Sequence, residues 1–311
     1  MTDAIYEHYP PLRPRDRPQG YARGIDFYSR KDLERIIATI CIVYRKKGAD
    51  YPDLINPRLY SEKLNSMKLL GWMKIPESGN KLLTASFIPP EARGLLRVPD
   101  VVWRSTRAVL PPNGSIPDGE YFLKSNHGCG FYQRIRYPLT VKSRRMLESS
   151  ASLWLQADYG HVMGEWWYNV FERAVFLERC VTRRNPSVVV LLFTFKGRVG
   201  LISFDEKQMD GSTRVNVMDP SYRLLAEQLP GNPPVTNFSL SHDMKNRLTA
   251  AAEAVGRPFE AVRVDLIPGD DGNIYLNEVT FTNDAGVPFP SRERDLHLGD
   301  LWGRCSFLDT A

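Results

Sequence analysis

The chain has 311 residues, 42% of them hydrophobic and 25% charged, with 41 Lys and Arg against 36 Asp and Glu for a net charge of +5. This is an ordinary soluble globular composition, with no apolar run near the roughly 18 residues that cross a bilayer. The length favours two or three closely packed subdomains, and the mild basic excess suits an anionic ligand such as a nucleotide; nucleic acid calls for a dense basic stripe interleaved with aromatics.

The N-terminal stretch MTDAIYEHYPPLRPRDRPQGYARG lacks the apolar centre of a secretory signal, so a cytoplasmic location is expected. Residues 1–28, rich in Pro and Arg, read as an arm or partly ordered extension. From Ser29, SRKDLERIIATICIVYRKKG places Leu33, Ile36, Ile37, Ile40 and Val43 or Tyr44 on one helical face, with Gly48 as a stop. NPRLYSEKLNSMKLLGW gives a second helix, capped by Ser61 or Asn56, whose apolar face is Leu64, Met67 and Leu70. Residues 29–110 thus form an N-terminal, largely helical region.

Strand patterns follow in LLRVPDVVW and YFLKS, separated by the turn-rich PPNGSIPDGE, and residues 111–180 read as a smaller subdomain. Ser143 to Trp167 is helical and runs into the aromatic cluster EWWYNVF. AVFLERCV, SVVVLLFTF and VGLISFD are strands, the last two joined by a tight turn at Lys196 and Gly197. After a loop from Leu229 to Asn237, SHDMKNRLTAAAEAVGRP is a helix with Ser241 as cap and Gly256 and Pro258 as terminators. AVRVDLI and IYLNEVT close the larger subdomain, residues 181–311, as a hairpin around PGDDGN. Without a regular βαβ repeat, the fold class is α+β with mainly antiparallel sheets.

Three places carry chemistry. Asp265 and Glu278 lie on neighbouring strands; in matching register their two carboxylates face one site, the donor type that Mg²⁺ takes together with phosphates and waters. Arg263, two residues from Asp265 and so on the same strand face, is placed to meet a phosphate. KSNHGCG, with Lys124 at a strand end before Gly128 and Gly130, is either a phosphate-cradling loop or a plain turn; it is not a Walker P-loop. His127 and Cys129 lack the second ligand pair a zinc site needs, and Cys41, Cys129, Cys180 and Cys305 form no CxxC, so reduced thiols are expected. Glu178 interrupts an apolar strand, as an edge-strand charge or as an acceptor for an adenine amino group.

In order and spacing these pieces resemble the ATP-grasp superfamily, and within it the TupA-like branch associated with teichuronopeptide and polysaccharide-linked amide ligases. The match runs from NPRLYSEKLNSMKLL through YFLKSNHGCG, EWWYNV and FLERCV to FEAVRVDLI, GNIYLNEVTFTNDAG and DLHLGDLW. The resemblance implies two α+β subdomains clamping ATP and Mg²⁺, and a ligase that joins a carboxylate substrate to an amine through an acylphosphate. On that model Lys124 and Arg263 are the catalytic cations, and Ser125, Asn126, His127, Gly128 and Gly130 form the loop over the phosphates. Glu178, Arg179, Cys180 and Val181 form the adenine hinge, and Asp265, Glu278 and Thr280 address the metal. Three positions depart from the family pattern: Leu191 replaces a phosphate-facing Lys, Thr280 replaces an Asn that Asn277 or Asn283 could stand in for, and KLLTASF keeps Lys81 but lacks an acidic residue. Two other readings stay open, a catalytically weakened nucleotide binder and a carbohydrate-binding protein that stacks sugars on Trp166, Trp167 and Tyr168. A homo-oligomer is compatible with the sequence; no nucleic-acid partner is expected.

Overall fold

The computed structural model describes residues 1–13, 16, 19–74, 79–183, 187–208, 212–236 and 239–306. Pro14, Arg15, Arg17 and Pro18 of the expected arm, and Asn237 of the expected loop, lie outside them.

Helix α1, Arg30–Lys46, begins where the Ser29 side chain accepts from the Asp32 amide, and it buries Leu33, Ile36, Ile37, Ile40 and Tyr44. Helix α2, Tyr60–Leu70, starts differently from expectation. Its N-cap is Leu59, and Glu62 turns back to accept from the amides of Arg58 and Leu59 at 2.9 Å each. Ser61 sits inside the helix, its hydroxyl 2.5 Å from Asp295.

The stretch LLRVPDVVW divides into β1, Leu96–Arg97, and β2, Val101–Ser105, which join different sheets. Pro99 cannot donate to a ladder, so the chain crosses there. Next come β3 (Gly119–Ser125), β4 (Tyr132–Tyr137), α3 (Val141–Gln156), β5 (Val175–Arg179), β6 (Ser187–Phe195) and β7 (Arg198–Lys207). β8 (Thr213–Met218), α4 (His242–Gly256), β9 (Ala261–Pro268), β10 (Ile274–Thr280) and α5 (Arg292–Trp302) complete the larger elements. Lys196 at φ 49° and Gly197 at φ 74° give the β6–β7 hairpin the paired left-handed residues that match strand twist.

The fold is α+β. One sheet has the order β2-β5-β3-β4; the other runs β8-β7-β6-β9-β10-β1, antiparallel except for the β10–β1 pair. Strand β2 therefore belongs to the four-stranded sheet although it precedes residue 111. The two sheets are linked by two chain crossings, at Val98–Asp100 and from β5 into β6, and these are bonded to each other by the Arg179 amide on the Asp100 carbonyl, 2.9 Å.

Side-chain alternation gives each sheet a dry face and a cleft face. On the six-stranded sheet Val190, Leu192, Ile202, Val264, Leu266 and Leu276 pack on Leu248, Ala251, Ala252 and Val255 of α4. On its opposite face, Phe193, Phe195 and Ala261, with Leu201, Val215 and Val217, cluster with Tyr60 and Leu64 of α2 and Leu298 and Trp302 of α5. In the four-stranded sheet Tyr121, Leu123, Val175 and Leu177 pack with Leu147 and Ala151 of α3.

Where an arm was expected, the two ends of residues 1–28 are packed, while most of the described residues between Glu7 and Tyr21 are exposed. Ile5 and Ile25 enter the α1 core, Tyr21–Ala22 pairs with Met73–Lys74, and Arg23 bonds Asp26. Trp166, Trp167 and Tyr168 are buried in the same core. Their rings are therefore unavailable to a sugar, and the stacking reading is set aside.

Candidate functional site

Polar side chains of the two sheets meet in a cleft, and period-two geometry decides which ones line it. Turning Tyr121 and Leu123 into the core directs Phe122 and Lys124 of β3 to the cleft, together with Phe176 and Glu178 of β5, their cross-strand partners. Lys124 Nζ donates to Glu178 Oε1 at 2.6 Å and reaches Asn277 Oδ1 on β10 at 2.9 Å, bridging the sheets.

On the facing sheet Asp265 of β9 stands directly opposite Glu278 of β10, followed by a shift in register. Arg263 forks onto Asp265, Nε to Oδ1 at 2.7 Å and one terminal nitrogen to Oδ2 at 2.8 Å. Its other terminal nitrogen donates to Asn283 Oδ1 at 2.5 Å, and Thr280 Oγ1 accepts from the guanidinium at 3.2 Å. The Thr280 hydroxyl is thus engaged by Arg263. Lys81 opens the short helix Lys81–Phe87; its Nζ lies 3.1 Å from Glu278 and donates to the Gly128 carbonyl at 2.6 Å. Burial pushes the Asp265 carboxyl up to about 6, against the pull of Arg263.

Turn 125–130 presents backbone more than side chains. The Ser125 hydroxyl and His127 Nδ1 are 2.7 Å apart and buried, and burial pushes the His127 imidazole down to about 4. Asn126 anchors the turn by accepting from the Ala174 amide at 2.8 Å and donating to the Glu172 carbonyl at 3.0 Å. Gly128 is at φ 71°, and a Cβ there would lie 2.8 Å from the Phe131 ring, so both conformation and space call for glycine. Of the remaining residues, Cys129 is exposed and Gly130 lines a cavity of about 720 Å³ shared with Phe122, Tyr132, Arg134 and Lys207.

At the crossing into β6, the Cys180 amide donates to the Glu120 carbonyl and the Val181 carbonyl accepts from the Asp270 amide, 3.1 Å each. Arg179 lies over the Tyr121 ring, 5.7 Å from its centroid, and burial pushes the Cys180 thiol up to about 11. A cavity of about 320 Å³ borders Arg179, Cys180 and Val181. Leu191 of β6 is the cross-strand partner of Asp265.

The structure thus gathers Lys124, Glu178, Arg263, Asp265, Glu278, Asn277 and Lys81 into one cleft, and keeps the side chains of Ser125 and His127 out of it. Reading α2 only for its apolar face missed Asn65 and Lys68, which grip the turn after β10; a Lys four residues beyond Leu64, in phase with that face, was the available signal. Glu165, buried in the same region and bonded by Thr282, was missed as well.

Among the described residues no group of three or more His, Cys, Asp or Glu is gathered for a metal. Two facing carboxylates beside cations nevertheless fit Mg²⁺, which takes one or two carboxylates and draws its other ligands from phosphate and water. Among the described residues no helix is long and apolar enough to cross a membrane.

No family model matches the chain, and no curated protein does. Among solved structures, the ATP-grasp ligase PsnB with a minimal precursor aligns over 71% of this chain at 14% identity and a TM-score of 0.34. The chain spans 60% of that protein's length. D-Alanine–D-alanine ligase from Bacillus anthracis with ATP aligns over 76% of this chain and 72% of its own at 16% identity, TM-score 0.41. D-Cycloserine synthetase DcsG aligns over 87% and 95% at 15% identity, TM-score 0.39. Similarity at this level carries no argument about chemistry, which rests on the residues of the cleft.

Proposed function

We propose that the cleft binds ATP with Mg²⁺ and that the protein is an ATP-dependent carboxylate–amine ligase of the ATP-grasp type, in line with the TupA-like resemblance. The observation that carries this reading is the set of three cation–carboxylate pairs, Lys124–Glu178, Lys81–Glu278 and Arg263–Asp265, converging from two sheets and the short helix Lys81–Phe87. Asp265 and Glu278 would hold the metal, which supplies positive charge beside the phosphates. Lys124, Lys81 and Arg263 would meet phosphate oxygens and the charge that builds during phosphoryl transfer. Residues 178–181 would border the adenine, and the glycines at 128 and 130 would let backbone amides approach the phosphates. In the proposed reaction a substrate carboxylate takes the terminal phosphoryl group as ADP leaves. An amine then attacks the acyl carbon, loses a proton and displaces phosphate, giving an amide. No protein nucleophile is needed.

Titration calorimetry with AMPPNP tests this reading. Binding is expected to depend on Mg²⁺ and to weaken in Asp265→Asn and Glu278→Gln; absence of binding to the wild-type protein would sink it. ADP release with a panel of carboxylates and amines then tests turnover. Leu191, apolar opposite Asp265, favours the second reading of a weakened enzyme, for which nucleotide would bind without ADP release from any pair in the panel.

A further inference from the structure

The turn after β10 passes through three consecutive left-handed residues, Asp284 (φ 45°), Ala285 (φ 51°) and Gly286 (φ 76°). For Asp284 and Ala285, which carry a Cβ, this conformation is unfavourable and persists only where surrounding contacts hold it.

Those contacts come from outside the cleft. At the start of the turn, Thr282 donates its hydroxyl hydrogen to Glu165 Oε1 at 2.5 Å. At its end, the Ala285 carbonyl accepts from Lys68 Nζ at 2.6 Å and the Gly286 carbonyl accepts from Asn65 Nδ2 at 2.7 Å. A Cβ at residue 286 would lie 2.7 Å from Asn65, so glycine is what admits this grip. Lys68 also donates to the Met163 carbonyl at 2.6 Å, which locks α2, the Met163 loop and the turn together. Lys68 is fully buried and Glu165 nearly so. Keeping two charges in a core where Leu or Met would pack is costly, so a compensating role would lie in their bonds to the turn.

Between the gripped ends sits Asn283, whose Oδ1 takes the one guanidinium nitrogen of Arg263 that Asp265 leaves free. We propose that Lys68, Asn65 and Glu165 are positioning residues that hold this turn left-handed, so that Asn283 keeps Arg263 aimed at the terminal phosphoryl group. The proposal rests on the ATP reading above. It assigns a task to the polar positions of SEKLNSMK, a motif that the cleft chemistry leaves unused.

The test compares calorimetric affinities for AMPPNP and ADP, both with Mg²⁺, in the wild type, Asn283→Ala, Asn65→Ala, Lys68→Met and the double variant Lys68→Met/Ala285→Gly. Preference for the triphosphate is expected to fall about tenfold in the single variants, the scale of one charge-assisted hydrogen bond, with ADP affinity unchanged. Glycine at 285 adopts the left-handed conformation without a clamp, so the double variant should regain part of the preference. A merely structural Lys68 would show no such rescue. Asn65→Ala removes a single bond of the same grip and is read in place of Lys68→Met if the latter does not fold. An undiminished preference in folded variants, or a loss that glycine at 285 does not repair, overturns the proposal while leaving the ATP reading intact. A wild-type protein that binds neither nucleotide overturns both.

Discussion

Lys124 and Lys68 are both withdrawn from solvent, yet they end on different kinds of acceptor. Lys124 and Arg263 each meet a carboxylate of their own sheet, and Lys81 meets one together with the Gly128 carbonyl, whereas Lys68 meets two backbone carbonyls, as does Lys63, which caps the end of α5 through Gly299 and Gly303 at 2.7 and 2.6 Å. An ion pair can be exchanged, because a phosphate can take over the cation while a metal takes over the carboxylate. Carbonyls of a packed turn have no such second partner. A carboxylate partner therefore marks the basic side chains suited to a ligand, and a lysine that ends on carbonyls alone marks one that fixes the scaffold.

The largest effect should come from Lys68→Met, which leaves two carbonyls without a donor and Glu165 without its balancing charge. A stability loss of about 3–5 kcal/mol is expected from urea unfolding. Lys124→Met is the counter-case in binding: it also lowers stability by leaving the buried Glu178 unpaired, but its distinguishing effect should be AMPPNP affinity down about 10- to 100-fold. AMPPNP affinity equal to the wild type's in Lys124→Met would break the comparison. A smaller effect, about 1 kcal/mol, is expected for Lys63→Met at the end of α5.

The pH dependence sharpens the same contrast. Burial lowers Lys68 from 10.5 to about 8, so between those values the unfolded chain holds this proton more tightly than the folded one. Stability from this group alone rises with pH across that window, by on the order of 1 kcal/mol per pH unit at its steepest. The slope should be absent from Lys68→Met and present in Lys124→Met, as measured by urea midpoints at pH 7 to 10.

Elements with a strong period were legible in the sequence. Helix α1, the helix capped by Ser241 and the hairpins at Lys196–Gly197 and PGDDGN stand where expected, because each is set by local pattern and turn chemistry. The facing of Asp265 and Glu278 was legible only as a condition on register: the turn pairs Leu266 with Leu276, which alone would set Asn277 opposite Asp265, and the irregularity between Asp265 and Leu266 brings Glu278 there instead. Hidden were arrangements that depend on distant chain. The split of LLRVPDVVW between sheets needed knowledge of both partners, and the packing of Ile5 needed the α1 face to receive it. Lys68 reads as an ordinary helix lysine until residues 163 and 285 arrive above it.

The bond between the two crossings, Arg179 amide to Asp100 carbonyl, extends the β2–β5 ladder by one rung past Val101 and Glu178. Both crossings therefore leave the four-stranded sheet side by side from one corner, and a swing of the sheets about that corner would be felt at the contact from Lys124 to Asn277.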